Sequence, residues 1–347
     1  MRTTAAVALL LAACAKPAPP PPVPDLAAPG ERHLRHVRQL TFGGENAEAY
    51  WSPDGTELIF QTTRDGRACD QEYVMRPDGT GARLVSTGKG VVTCGYFFPD
   101  GSRIIYASTH ESMGPSCPPK PDRSEGYVWP LYDYQLYTAR PDGTDVRPIA
   151  PAPGSYNAEA TISSDGWIVF TSTRDGDLDL YKMRLDGSRL TRLTSTPGYD
   201  GGAFFSADGK KIVYRASRPA PGRELDDYRA LLGKKLVRPG RLEIWVMNAD
   251  GTDAHQVTNV GAANFAPFFH PDGKRIIFAS NVKDPRGPNF DLYLVNLDGS
   301  GLEQVTTYDG FDGFPMFDPA GKRLVFASNR NGKVLGETNV FVAEWVE

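Results

Sequence analysis

The side chains best suited to chemistry in this 347-residue chain recur at fixed distances from a turn. Asn46, Asn157, Asp200, Asn264 and Asp312 each stand eight residues before an Asp-Gly or its stand-in Ala320-Gly321, and Val92 fills that place in a sixth segment. A second set follows the turn: Arg64, His110, Arg174, Arg218 and Arg330, with Val282 in the remaining copy. Amides, carboxylates and guanidiniums in two matched columns suit contact with an acidic or extended partner and its backbone. The same residue types also bond their own turns and pair with one another, which makes a structural role the competing reading. Glu48 and Glu159 occupy matching places just inside the first strand of their segments. Two such carboxylates can do acid/base work or simply be hydrated.

Other chemistry is sparse. The chain has no Gly-x-Ser-x-Gly elbow and no His-Glu-x-x-His, and its five histidines, His33, His36, His110, His255 and His270, are scattered. Cys69, Cys94 and Cys117 lack Cys-x-x-Cys spacing, so neither metal nor cofactor is expected. In an oxidising compartment three cysteines imply one disulfide and a spare thiol. Cys94 opens the segment whose insertion carries Cys117, so Cys94–Cys117 is the expected bridge, with Cys69 as the third thiol. The chain reads as a binding module, not an enzyme; the alternative is a carbohydrate-binding or carbohydrate-active domain that uses aromatic loop residues.

The elements that must position these residues are short strands. Tyr50-Trp51-Ser52-Pro53-Asp54-Gly55 is followed by Leu58-Ile59-Phe60, and variants of this stretch return at Asp100-Gly101, Asp165-Gly166, Asp208-Gly209, Asp272-Gly273 and Ala320-Gly321. Each is a turn dipeptide between aromatic or β-branched runs, the strongest local signal for a hairpin. A second turn follows in five units, at Asp78-Gly79, Asp142-Gly143, Asp186-Gly187, Asp250-Gly251 and Asp298-Gly299. Four strands per unit is the content of one propeller blade. The sixth unit ends at Asn339 to Trp345 without an outer strand, and Val37 to Gly43 matches the outer strands Arg192-Leu193-Thr194 and Gln256-Val257-Thr258. The expected fold is all-β: a six-bladed propeller closed by its N-terminal strand, which leaves no open sheet edge.

The Asp-Gly turns share one face of the disc, so the other face receives the long insertions 110–133, 218–241, 281–290 and 330–338. Loops of that length are usually functional, and the binding surface is expected there. Within the second insertion, Arg223 to Val237 has helical spacing. The first carries Cys117, Tyr127, Trp129 and Tyr132. The two form either a simple lid or a binding rim.

Residues 1–14 read as an export signal, since Arg2 precedes an apolar run too short to span a bilayer. Leu11-Ala12-Ala13-Cys14 resembles a bacterial lipobox, which implies lipidation of Cys14 and a membrane anchor; an ordinary cleaved signal is the alternative. Residues 15–32, rich in Pro and Ala, read as an extended tether, and 33–347 as the propeller. A formal net charge of −4 argues against a nucleic-acid partner. A monomer is expected.

Units reading Trp51-Ser52-Pro53-Asp54-Gly55, Ile59-Phe60 and Arg76-Pro77-Asp78-Gly79-Thr80 resemble the TolB-type β-propeller repeat from about Val37 to Trp345. The additional α/β domain that precedes the propeller in that family is expected to be missing here, with a tether in its place. The resemblance implies a periplasmic six-bladed propeller that docks a protein or peptide at its channel.

Overall fold

The computed structural model describes residues 24–120 and 123–347; the lipobox-like tetrad with Cys14, the signal segment and the first half of the tether lie outside the described residues. Six four-stranded antiparallel sheets form the molecule. Their inner strands are Asn46–Trp51, Val92–Phe97, Asn157–Ile162, Asp200–Phe205, Asn264–Phe269 and Asp312–Phe317, taken here as blades 1 to 6. Each inner strand packs on the next, and the sixth packs on the first, so the ring is closed. Between blades the core is dry and aliphatic or aromatic: Leu58, Ile59 and Phe60, and their counterparts Ile276, Ile277 and Phe278, are completely buried.

Closure uses the N-terminal strand, as the sequence pattern predicts. Leu34–Gln39 pairs antiparallel with Asn339–Trp345, with Leu34 opposite Trp345 and Gln39 opposite Phe341. The equivalence with the other outer strands holds to the side chain. Thr41 Oγ1 accepts from Val340 N at 2.9 Å, as Thr194, Thr258 and Thr306 accept from Leu180, Ile244 and Leu292 in their own blades.

The expected tether ends earlier than residue 32, because residues 24–32 pack onto the ring. Asp25 accepts from the amides of His36 and Val37, both at 2.8 Å, and Leu26 N donates to Val37 O at 2.9 Å. Glu31 is 4% exposed and accepts from both terminal nitrogens of Arg330 at 2.9 Å; Arg330 also donates to Asp312 at 2.9 Å. This buried triad ties the chain's N-terminal part to both the inner and second strands of blade 6.

The two large insertions join each other. Trp129–Pro130 pairs with Leu236–Val237 as a separate two-stranded sheet, and Leu131 N donates to Lys235 O at 2.8 Å. The predicted helix exists as Arg223–Gly233, buries Tyr228 and Leu231, and stops at Gly233 because Leu236–Val237 is taken by that sheet. Among the described residues no helix is long and apolar enough to cross a membrane.

Arg330→Ala leaves Glu31 and Asp312 buried without their cation, so a loss of about 3 kcal/mol or more in urea unfolding is expected. A loss below about 1 kcal/mol, the size of an exposed pair, would show that the triad does not secure closure.

Candidate functional site

Every inner strand carries the same irregularity. The pairing register with the second strand shifts after the second residue in all six blades. The third residue adopts a left-handed backbone in each: Glu48 (φ 50°), Cys94 (56°), Glu159 (60°), Gly202 (59°), Ala266 (49°) and Phe314 (54°). A β-bulge of this kind re-aims a side chain, and here it turns one residue per blade toward the propeller axis. All six line a funnel of about 1090 Å³ on the long-loop face. Two residues further along the strand, Tyr50 and Phe204 from opposite blades meet at 5.4 Å, flanked by Tyr96 and Phe268. These rings plug the axis, so the site is a blind funnel.

Its two halves differ chemically. On the side of blades 1 to 4, Glu159 accepts from Thr171 Oγ1 at 2.6 Å, Tyr199 OH at 2.8 Å and Gly202 N at 2.9 Å, and is ion-paired with Arg215. The Arg215 guanidinium lies over Tyr199 and Trp129, at 5.1 and 5.4 Å. It fits because blade 4 has Gly202 at the bulge: a Cβ there would stand 2.0 Å from Arg215 Nη1. Glu48 forms no ion pair among the described residues, and burial pushes its carboxyl up to about 7, helped by the nearby Glu159 and opposed by a hydrogen bond with Cys94. Burial likewise raises Asp70 at the lip to about 7, with Glu45 adding to the shift. Opposite this wall, on blades 5 and 6, the rings cluster: Phe265 contacts Phe290, Phe311 and Phe314 at centroid distances of 5.0 to 6.3 Å, and Asn281 and Arg286 of the blade 5 connection line the funnel beside them.

Of the twelve candidate contact residues, the structure brings Glu48 and Glu159 to the funnel wall. Of the others, the asparagines serve the blade junctions, and the Asp, Arg and His side chains are held mainly within their own blades. Asn46 donates to Thr338 O at 2.8 Å, Asn264 to Leu242 O at 2.7 Å and Asn157 to Tyr134 O at 3.2 Å, each stapling an inner strand to the blade before it. Asp200 and Asp312 are fully buried and hold Arg218 and Arg330 at 2.7 and 2.9 Å; Arg174 donates to Asn157 at 2.9 Å. Arg64 lies over Phe60 and Tyr73, and His110 against Tyr137 with its Nδ1 2.8 Å from Ser108 Oγ. In blades 3, 4 and 6 the two polar columns therefore satisfy each other, whereas among the described residues Arg64 Nη1 is buried without a hydrogen bond.

The expected Cys94–Cys117 bridge is corrected. Cys117 bonds Cys69, with Cα atoms 5.9 Å apart, and Cys94 is free. The bulge points Cys94 into the funnel beside Glu48, while the insertion carrying Cys117 arches over the blade 1 loop that holds Cys69. Trp129, singled out in the sequence as part of a lid or rim, lines the funnel, whereas sequence reasoning missed Arg215, Tyr199 and the phenylalanine wall. The available signal was the column six residues before each turn, which reads Glu48, Cys94, Glu159, Gly202, Ala266, Phe314.

A six-bladed ring with bulged inner strands and an N-terminal velcro strand defines a closed β-propeller with one blind, funnel-shaped face. Comparison with known proteins narrows this. Residues 237–335 match the TolB beta propeller domain family. An uncharacterised protein of Agrobacterium fabrum is 26% identical over 115 residues, 33% of this chain and 32% of that protein. A TolB homolog of Chlorobium luteolum is 23% identical over 164 residues, 47% of this chain and 32% of that protein. Each match thus spans about a third of the relative's own length. The structure of a putative TolB from Agrobacterium tumefaciens superimposes with a TM-score of 0.58 at 18% identity, covering 90% of this chain and 97% of that one. The chain is a six-bladed β-propeller that resembles the TolB propeller, with residues 237–335 carrying the family match.

The same comparisons correct the expectation that the chain is no enzyme. A Xanthomonas campestris gluconolactonase (TM-score 0.58, 14% identity, 90% of this chain and 91% of that one) and an oligogalacturonate lyase in complex with manganese (0.52, 15%, 90% and 93%) share the fold. Missing local motifs carry little weight in such a fold, since propeller sites are assembled from separate blades.

The raised carboxyl of Glu48 predicts a pH signature. Unfolded, it loses its proton near 4.5, but folded it keeps it to about 7, so its contribution to stability is present below pH 4.5 and lost as pH rises to 7. Because the funnel admits water, Glu48→Gln should remove on the order of 1 kcal/mol of the fall in unfolding free energy between pH 5 and 8. Parallel pH profiles for wild type and variant would show instead that Glu48 ionises as an ordinary exposed carboxyl.

Proposed function

We propose that the chain is a binding propeller of the bacterial envelope that docks an extended segment of a partner protein on its long-loop face, with the funnel as the seat. A TolB-like propeller supports protein binding in general, and the signal-like N-terminus with its lipobox-like tetrad supports the envelope setting. The observation that carries the docking face is where large apolar side chains are left in water. Phe42, Met113, Tyr127, Val334 and Leu335 are 43% to 107% exposed, and all five lie on connections of the funnel face. Among the described residues the turn face has only Leu190 and Leu302, each at 43%. Apolar surface gathered around a concave, aromatic-lined cavity is the usual physical mark of a protein or ligand contact.

The seat also has the rigidity that docking favours. The Cys69–Cys117 bridge holds the first insertion to blade 1, and the Trp129–Pro130 pairing with Leu236–Val237 holds it to the second insertion. A lip fixed at both ends loses little freedom when a partner binds.

Site-specific photo-crosslinking tests the face. The full chain carrying p-benzoyl-phenylalanine in place of Leu335 should give a discrete protein adduct in envelope preparations, and the same group in place of Leu190 none. Adducts from the Leu190 position alone would reverse the assignment, and none from either would reject a protein partner.

A further inference from the structure

We propose that the wall between blades 1 and 2 is a seat for a cationic side chain, a lysine or arginine of the docked segment, whose charge ends on Glu48 while its apolar neighbours lie on the phenylalanine wall; this rests on the docking reading above. The two funnel glutamates are not equivalent. Glu159 is saturated by Thr171, Tyr199, the Gly202 amide and Arg215, and so has no capacity left for a ligand. Glu48, turned into the funnel by the same bulge, has no cation of its own among the described residues, because Arg215 is committed to Glu159.

Uncompensated negative capacity continues behind and above it. Glu72 is fully buried; its Oε1 accepts from Gly95 N at 3.1 Å, and its Oε2 is buried without any partner. Asp70 stands at the lip next to the bridged Cys69, with Glu45 adding negative charge and Lys120 of the insertion acting on it from a distance. Glu48 raises Glu72 further, and Asp70 raises both. Glu48 and Asp70 so placed hold their protons to about pH 7 and release them more readily when a counter-charge arrives. A metal ion is a poor match, since among the described residues no three His, Cys, Asp or Glu side chains stand close enough to hold one. A cation on a long apolar stem suits the route better, because it must pass the rings of Tyr132, Tyr134 and Tyr156 that line the funnel between lip and floor. On the opposite wall the clustered rings of Phe265, Phe290, Phe311 and Phe314 accept the apolar flank, and Arg286, which also lines the funnel there, directs an incoming cation toward Glu48. Binding moves one proton: the ammonium enters charged, and the carboxyl releases its proton to solvent.

The test uses the full chain, immobilised, and three pools of capped random hexapeptides that share one fixed residue: lysine, Nε-acetyl-lysine or glutamate. Retention is read by mass spectrometry. The lysine pool should be retained about fivefold or more over the acetyl-lysine pool, with the ratio falling to about one on Glu48→Gln, as for a desolvated charge pair losing one partner. Retention of the lysine pool should also rise about threefold from pH 6 to pH 8, as the seat ionises. Equal retention of lysine and acetyl-lysine on wild type, or a lysine preference that survives in Glu48→Gln, overturns the cationic seat and leaves the crosslink at Leu335 untouched. Asp70→Asn serves as a second variant if Glu48→Gln does not fold, and a preference unchanged there overturns the proposal equally. Preference for the glutamate pool overturns it outright.

Discussion

The structure depends on a left-handed residue at the third position of each inner strand. A non-glycine side chain in that conformation costs roughly 1 kcal/mol, and five of the six blades accept it with a side chain present. The return is geometric. A regular strand would alternate its side chains between the two neighbouring blades, whereas the bulge breaks the alternation once and directs a single residue at the axis. The same break moves Tyr50, Tyr96, Phe204 and Phe268 into register beneath it, where their rings close the floor. Funnel and plug are thus two results of one backbone feature.

Six copies of one backbone do not give a symmetric site, because the bulge fixes direction and leaves the residue type free. Blade 4 shows how a substitution at one position is answered at another. Gly201 and Gly202 leave a void, and Arg215, directly opposite Gly201 on the second strand, fills it where Ala279 and Ala327 stand in blades 5 and 6. Arg215 then needs an anion, which Glu159 of blade 3 supplies, and an aromatic cover, which Trp129 supplies from an insertion of blade 2. Two blades and an insertion of a third are therefore coupled through one guanidinium.

Much of the fold was legible because its turns use dipeptides with a single physical meaning, and because a blade short of one strand implies a donor at the far end of the chain. The site was less so. The Asn/Asp and Arg columns were visible, but sequence spacing alone does not distinguish a polar group aimed at a ligand from one aimed at the neighbouring blade. Burial decides: Asp200 and Asp312 are fully enclosed and answered by arginines of their own blades. The cysteine pairing failed for a related reason, since proximity in sequence placed Cys94 near Cys117, while the bulge turned it away. The end of the tether was hidden because Glu31, in a Pro- and Ala-rich stretch, gives no sign that Arg330, 299 residues away, is waiting for it.

The polar columns, though absent from the funnel, bear on what it can bind. Asn46, Asn157 and Asn264 fasten their inner strands to the carbonyls of the preceding blade, while Asp200–Arg218 and Asp312–Arg330 brace the inner strand within its own blade. With its rim bolted in this way and its floor filled by rings, the funnel cannot collapse around an unpaired carboxyl, nor open to hydrate it fully. An acid that is poorly solvated and lacks an ion-pair partner keeps its proton to about pH 7, and a protonated acid is a latent charge. The rigidity that closes the ring is therefore also what keeps Glu48 available, since a softer wall would let Arg215 or a surface lysine swing in and satisfy it.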